Sequence, residues 1–175
     1  SNVSTHVYTE FKYQCLDVSR LEKAFNVLLQ RHLALRTVFT ESTQRFLKEA
    51  PYYQIVCHYI ESEQDLYQIR EQYSHKVYQP HIYPLFDIVA SRHKHYYLLH
   101  ISFDAIIVDM SSFEILFAEL IQLYQDINKP LPVLSLQFRD YVIQHETIRS
   151  GDLFKQAESY WLNKLDDYYL EMKLP

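Results

Sequence analysis

The residues best placed to do chemistry are two acids in the segment "LHISFDAIIVDMSSFEILFAEL", residues 99–120. Asp104 and Asp109 are separated by four residues, three of which are the apolar Ile106, Ile107 and Val108. The pattern reads as a strand end followed by a loop that enters a helix, a place where side chains meet a ligand. Two acids in so apolar a setting do not both stay charged without partners. The pattern therefore predicts that at least one is tied to a buried cation. Arg36, in "RHLALRTVF", is the cation that fits, because it too lies where a helix meets an apolar strand. A desolvated Arg–carboxylate pair would hold the loop in one geometry. Spacing alone leaves open whether these acids brace the loop or act on a substrate, since perturbed acids are structural as often as catalytic.

Other chemistries find less support. Of nine histidines, His93 and His95 fall at a hairpin turn and His100 lies further along the strand. Without H-E-x-x-H or C-x-x-C, no metal site is expected, and the hairpin histidines read as solvated. Cys15 and Cys57 sit in strand-like apolar contexts and read as buried free thiols of a reducing cytosol. A Cys–His nucleophilic pair needs a spatial arrangement that no spacing here specifies. The chain has one glycine, Gly151, among 175 residues, where average usage gives roughly 12. That excludes a Walker loop, a G-x-G-x-x-G turn and a G-x-S-x-G elbow, each of which needs several positions without a Cβ. The net charge of −5, from 17 basic and 22 acidic residues, leaves no footprint for nucleic acid or an anionic membrane. No apolar run is long enough to span a bilayer, and the start "SNVSTHVYTEF" lacks the form of a signal peptide. A cytoplasmic location is the expectation.

The elements that must position the acids follow from periodicity. A strand is expected over about His6–Cys15, then a helix capped by Asp17 or Ser19 with Leu21, Ala24, Phe25, Leu28 and Leu29 on one face. "ALRTVFTE" and "QRFLKE" form a hairpin, and "YYQIVCHYI" is a strand rich in β-formers. "SEQDLYQIREQYSHKVY" is a helix with a capping box, Ser62 and Asp65. After a loop marked by Pro80 and Pro84, "LFDIVASRH" and "HYYLLHISFD" pair as strands, the second covered on both faces at its end. A helix capped by Ser111 or Ser112 follows, then a proline-punctuated connection and two more helices. Gly151 between those two is expected in the left-handed conformation. Strands interleaved with helices give an α/β or α+β class with one mixed sheet, and the length suits one domain of about 70% buried surface.

With these elements in place, the chain resembles the condensation-domain superfamily of nonribosomal peptide synthetases, and within it the heterocyclization domains. The superfamily's mark is H-H-x-x-x-D-G at a strand-to-helix junction. Aligning its Asp on Asp109 puts Asp104 at the first His and Ala105 at the second, usually catalytic, His. Heterocyclization domains carry D-x-x-x-x-D instead, which "DAIIVD" matches. "RHLALR", "YPLFDIVAS", "LQFRDYV" and "AESYWLNKLDDYYLEMKLP" resemble further family blocks, in the right order from about residue 6 to 175.

The resemblance implies a chloramphenicol-acetyltransferase-like lobe, an α/β (α+β) sandwich with a mixed β-sheet flanked by helices. Residues 1–175 would be one domain, the N-terminal of two lobes that enclose a tunnel, with the C-terminal lobe absent. The implied reaction joins a carrier-bound acyl donor to carrier-bound Cys, Ser or Thr and cyclodehydrates the product to a thiazoline or oxazoline. No cofactor is bound directly; phosphopantetheine is carried by the partner carrier domains. The implied partners are peptidyl or acyl carrier proteins, the missing lobe and an adjacent adenylation domain, with no nucleic acid and no membrane. Asp104 and Asp109 are the motif acids, and Arg36 is implied to brace the loop through Asp109. Ala105, Met110 and Ser111 are implied to line the tunnel. Met110 departs from the family, which commonly has Gly there, and its side chain narrows the tunnel mouth or shifts the loop. The isolated lobe is expected to be inactive. Two other readings are a non-catalytic module that binds carrier proteins and a lobe of a coenzyme A-dependent acyltransferase, the latter without a catalytic His that can be placed.

Overall fold

In the computed structural model, which describes residues 5–166, helix α1 (Val18–Arg31) begins at Asp17, whose Oδ1 accepts the Arg20 amide at 2.9 Å. Its apolar stripe Leu21, Ala24, Phe25, Leu28 and Leu29 is buried throughout, as its three- and four-residue spacing requires. A 3-10 turn over Leu33–Arg36 leads into the hairpin of β2 (Thr37–Phe39) and β3 (Gln44–Phe46). This hairpin is a separate two-stranded sheet, so the described residues form two sheets where one was expected.

The main sheet has the order β1-β6-β5-β4, built from β1 (His6–Tyr13), β6 (Tyr97–Asp104), β5 (Phe86–Arg92) and β4 (Cys57–Tyr59). Three strands are antiparallel neighbours and β4 lies parallel to β5, so the sheet is mixed. β1 stops at Tyr13 rather than Cys15 because its partner β6 begins opposite it, at Tyr97. β4 is short for a different reason. The segment before it is tied to α1 by side chains: Asn26 accepts the Tyr53 amide and Glu22 accepts the Ile55 amide, both at 2.8 Å. Backbone groups satisfied in that way need no ladder.

Alternation divides β6 between two cores. Leu99, Ile101 and Phe103, with Phe86 and Ile88, join α1 in the larger core, together with Leu120 and Leu123 of α3 (Met110–Gln125). Leu98 and Val89 face the other way, toward Leu66, Ile69 and Tyr73 of α2 (Glu63–Ser74). α2 carries the expected capping box, with Ser62 accepting the Asp65 amide and Asp65 accepting the Ser62 amide. It ends at Ser74, short of the expected length, because Tyr78 turns inward and its hydroxyl bonds Ser102 Oγ at 2.8 Å and Asp87 Oδ2 at 2.9 Å.

Two compact units are formed, Ser1–Leu131 and Pro132–Pro175. In the second, α4 (Phe138–Arg149) and α5 (Asp152–Asp166) flank Gly151. Gly151 is not left-handed, since no residue described has positive φ. What a side chain would meet there is steric instead: a Cβ would lie 3.1 Å from the Ile148 carbonyl oxygen, a tight contact that a small shift must relieve. The expectations that fall on residues 167–175 lie outside the described residues.

Candidate functional site

The loop after β6 is fixed mostly by its own backbone. The Asp104 amide donates to Leu85 O and the Ala105 amide to Thr5 O, each at 2.9 Å, so the end of β6 stays pinned to both neighbours. Asp104 is only 6% exposed, and its Oδ1 accepts the Ile106 amide at 2.9 Å, closing a tight turn. Ile107 and Val108 drive into the core, while Ile106 and Met110 stay exposed. Asp109 then caps α3, its Oδ1 accepting the Ser112 amide at 2.7 Å. The cap is therefore Asp109, not Ser111 or Ser112, because a carboxylate at this position accepts from N3 and favours the positive end of the helix. Hydrogen bonds from Ser112, chiefly from its side chain, hold the Asp109 carboxyl below the usual carboxylate range.

The structure thus separates the roles of the two acids. Asp104 is buried and shapes the turn; Asp109 faces solvent and starts the helix. Ala105 is half-buried, and Met110 and Ser111 are exposed beside Asp109. The expected Arg36–Asp109 brace does not form. Arg36 instead donates through Nη1 to Leu47 O and Lys48 O, both at 2.7 Å, and through Nη2 to Gln30 O at 3.2 Å. A guanidinium fork suits the orphan carbonyls at the end of α1 and after β3, and Asp109 is already engaged as a cap. Replacing Asp109 with alanine is accordingly expected to lower the unfolding temperature by only about 2–4 °C, the effect of a lost cap. Thermal melting followed by circular dichroism checks this, and a collapse of the fold would restore the buried-brace view.

The clamp that sequence reading missed joins α1 to α3. Glu119 accepts from Arg31 Nε at 3.2 and 3.1 Å, from Arg31 Nη2 at 3.0 Å and from His32 Nε2 at 2.6 Å. Burial pushes the Glu119 carboxyl up, but these hydrogen bonds outweigh it and the net shift is downward. The adjacent Arg31 and His32 were the signal, though nothing in the spacing named their partner.

A second polar chain crosses the other face of the sheet. Ser91 Oγ lies 2.7 Å from His100 Nε2, His100 Nδ1 lies 2.8 Å from Tyr8 Oη, and Tyr8 donates to Glu10 Oε1 at 2.6 Å. Arg70 closes the chain with two bonds to Glu10, both 2.7 Å. Burial lowers the His100 pKa, so the ring is held neutral. Ser91 and His100 have no solvent access, so the Ser–His contact cannot meet a substrate. Among the described residues, no group of three or more His, Cys, Asp or Glu is placed to hold a metal ion. His93 and His95 have ring centres 5.8 Å apart at the hairpin, apart from the buried His100. Cys15 is exposed and Cys57 half-buried, both free, so the expected burial of Cys15 is corrected. A cavity of about 10 Å³ under α3, lined by residues such as Phe25, Ile101, Phe113 and Phe117, is wholly apolar and has room for no substrate. No helix among the described residues is long and apolar enough to cross a membrane.

Comparison with known proteins agrees with this geometry. Bacitracin synthase 1 of Bacillus licheniformis is 31% identical over 183 residues, covering 99% of this chain and 3% of that protein. Pyochelin synthetase PchF of Pseudomonas aeruginosa is 28% identical over 168 residues, covering 91% of this chain and 9% of that protein. The EpoB NRPS cyclization-docking bidomain from Sorangium cellulosum superposes with a TM-score of 0.83 at 28% identity, over 94% of this chain and 35% of that one. The chain therefore spans a small part of the synthases it resembles and about a third of that solved bidomain. The condensation domain pattern itself matches residues 3–175, which includes the mixed sheet, the turn at Asp104 and the capped helix α3. By that match the chain belongs to the condensation domain family.

Proposed function

We propose that this chain is the lobe of a nonribosomal peptide synthetase heterocyclization domain that carries the D-x-x-x-x-D loop. The observation behind this reading is the loop itself, with Asp104 turning it from within, Asp109 capping α3, and Ala105 where a condensation domain carries its imidazole. Likeness to pyochelin synthetase PchF and to the EpoB cyclization-docking bidomain supports it. The substrates would be an acyl group and Cys, Ser or Thr, each brought as a thioester on the phosphopantetheine arm of a carrier domain. In this reading the two acids act by position. Asp104 holds the turn tight, so that the edge formed by half-buried Ala105 and exposed Met110 and Ser111 meets the substrates in one geometry.

The test uses the whole parent domain with carriers loaded with Cys and with Ser, and follows amide formation and loss of water by mass. The parent domain is expected to give the cyclised product. Asp104→Ala is expected to reduce product formation by roughly 100-fold, the scale of a misplaced reacting group. A linear amide with no loss of water would overturn the heterocyclization reading in favour of ordinary condensation. Carrier binding with no product of either kind would favour a non-catalytic module, the reading to which the exposed side chain of Met110 lends weight.

A further inference from the structure

Three cations of the first unit are paired with acids, Arg31 with Glu119, Arg70 with Glu10 and Lys76 with Asp87. The tip of the β5–β6 hairpin holds none of these pairs. Between Asp87 and Asp104 the sequence has no acid, yet it contains Arg92, His93, Lys94 and His95 in succession. Lys12, at the end of β1, joins them, with its Nζ 4.1 Å from the centre of the Tyr96 ring. Arg92 lies 5.6 Å from the ring centres of both Tyr59 and Tyr97, and His93 stacks on Tyr96 at 4.5 Å. Lys12, Arg92 and Lys94 are exposed, and among the described residues none of them forms an ion pair. Glu61 and Glu63, the nearest acids past β4, are exposed, and among the described residues neither forms an ion pair with these cations. Asp65 is turned to the amides of Glu61 and Ser62 as part of the α2 cap.

Aromatic faces hold Lys12 and Arg92 in place without neutralising them. Tyr59, 74% exposed, stands beside Arg92, and Tyr and Arg are among the residues enriched at interface hot spots. We propose that the β5–β6 hairpin, with Lys12 and Tyr59 at its flanks, is a docking surface for an acidic segment of a partner protein. The patch is small and the whole chain carries −5, so an extended polyanion would be repelled by the rest of the surface. A short acidic loop or helix end meets only the patch. The surface lies at the end of β6 opposite Asp104, about 23 Å away along eight strand residues. It would therefore hold a partner without blocking the loop, and it stands whether or not the domain forms heterocycles.

The experiment titrates the chain with an alternating Glu-Ala peptide and follows the ring signals of Tyr59, Tyr96 and Tyr97 by NMR. A short DNA duplex and phosphatidylserine vesicles of equal charge serve as competitors in kind. The peptide is expected to shift those three rings with a Kd on the order of 0.1–1 mM at low salt. The charge reversal R92E/K94E is expected to weaken binding by at least ~10-fold, while K23E/R45E, on exposed cations elsewhere, changes it by less than ~2-fold. Circular dichroism confirms that both variants remain folded. Equal weakening by the two reversals, no shift at the three rings, or tighter binding of the duplex or vesicles than of the peptide would overturn the proposal.

Discussion

Replacing Glu119 with alanine is expected to cost about 3 kcal/mol, the low end for breaking a buried ion pair. The carboxylate takes both nitrogens of the Arg31 edge and the His32 ring, in side chains only 14–16% exposed. Its removal leaves a guanidinium and an imidazole side by side in a poorly solvated seam with their shared anion gone. The damage also has a direction. α1 and α3 pack against each other, and α3 begins directly after Asp109, so loosening the seam reaches the candidate loop. Amide exchange in α3 should therefore quicken more than in β1. Glu119→Gln keeps the volume and one acceptor and is expected to lose about half as much. Urea unfolding and hydrogen exchange measure both. A cost below about 1 kcal/mol would place the clamp with ordinary surface pairs.

This clamp marks the limit of what the sequence made legible. Local rules worked where both partners lie within one turn of helix or one strand. The α1 stripe, the Ser62–Asp65 box and the two-sided burial of β6 are all written in short-range periodicity. The two acids were likewise placed at the right junction. Their partners were not, because an ion pair is a choice among distant residues. Arg31 and Glu119 are 88 residues apart, and Tyr8 and His100 are 92 apart. Arg36 was chosen for being a cation near an apolar strand, yet backbone carbonyls six to twelve residues away needed its donors more than Asp109 did. Gly151 shows a related gap: sequence marks the break between helices but does not tell a left-handed cap from a position where a carbonyl would crowd a Cβ.

The two cores of the sheet are held differently, and that decides what acid does to them. The larger core is apolar and centred on aromatic contacts such as Phe25–Phe86 at 5.2 Å. The titratable groups packed in it are tyrosines and Cys57, whose protons burial holds more firmly, so mild acid leaves them unchanged. The face toward α2 depends on hydrogen-bonded groups whose protonation matters, with Arg70 and Glu10 fastening α2 to β1. Mild acid should loosen α2 before it affects α1 or α3.

His100 is expected to set the first stage of that loss. Its ring is fully buried, with Ser91 on one nitrogen and Tyr8 on the other. Because Tyr8 donates to Glu10, the arrangement suits a neutral ring that donates from Nδ1 and accepts at Nε2. Burial lowers its pKa below the ordinary value of 6.5. As pH falls through that value the unfolded chain takes up a proton that the native ring refuses, so this contribution is complete above it and lost below. Glu10 adds a later stage. Burial raises its carboxyl, but bonds from Arg70 and Tyr8 bring the net shift below its ordinary 4.5, so its contribution is lost only at lower pH. His100→Gln retains donor and acceptor groups without titrating, and is expected to flatten the loss of stability that sets in as pH falls through 6.5, while leaving the later loss intact. His100→Leu removes the ring that Ser91 bonds and leaves Tyr8 with its bond to Glu10 alone, and is expected to cost about 2–4 kcal/mol at neutral pH. Urea unfolding across pH, followed by amide exchange in β5 and β6, reads both effects. Identical pH slopes for the native chain and His100→Gln would show that this ring takes no part in the acid response.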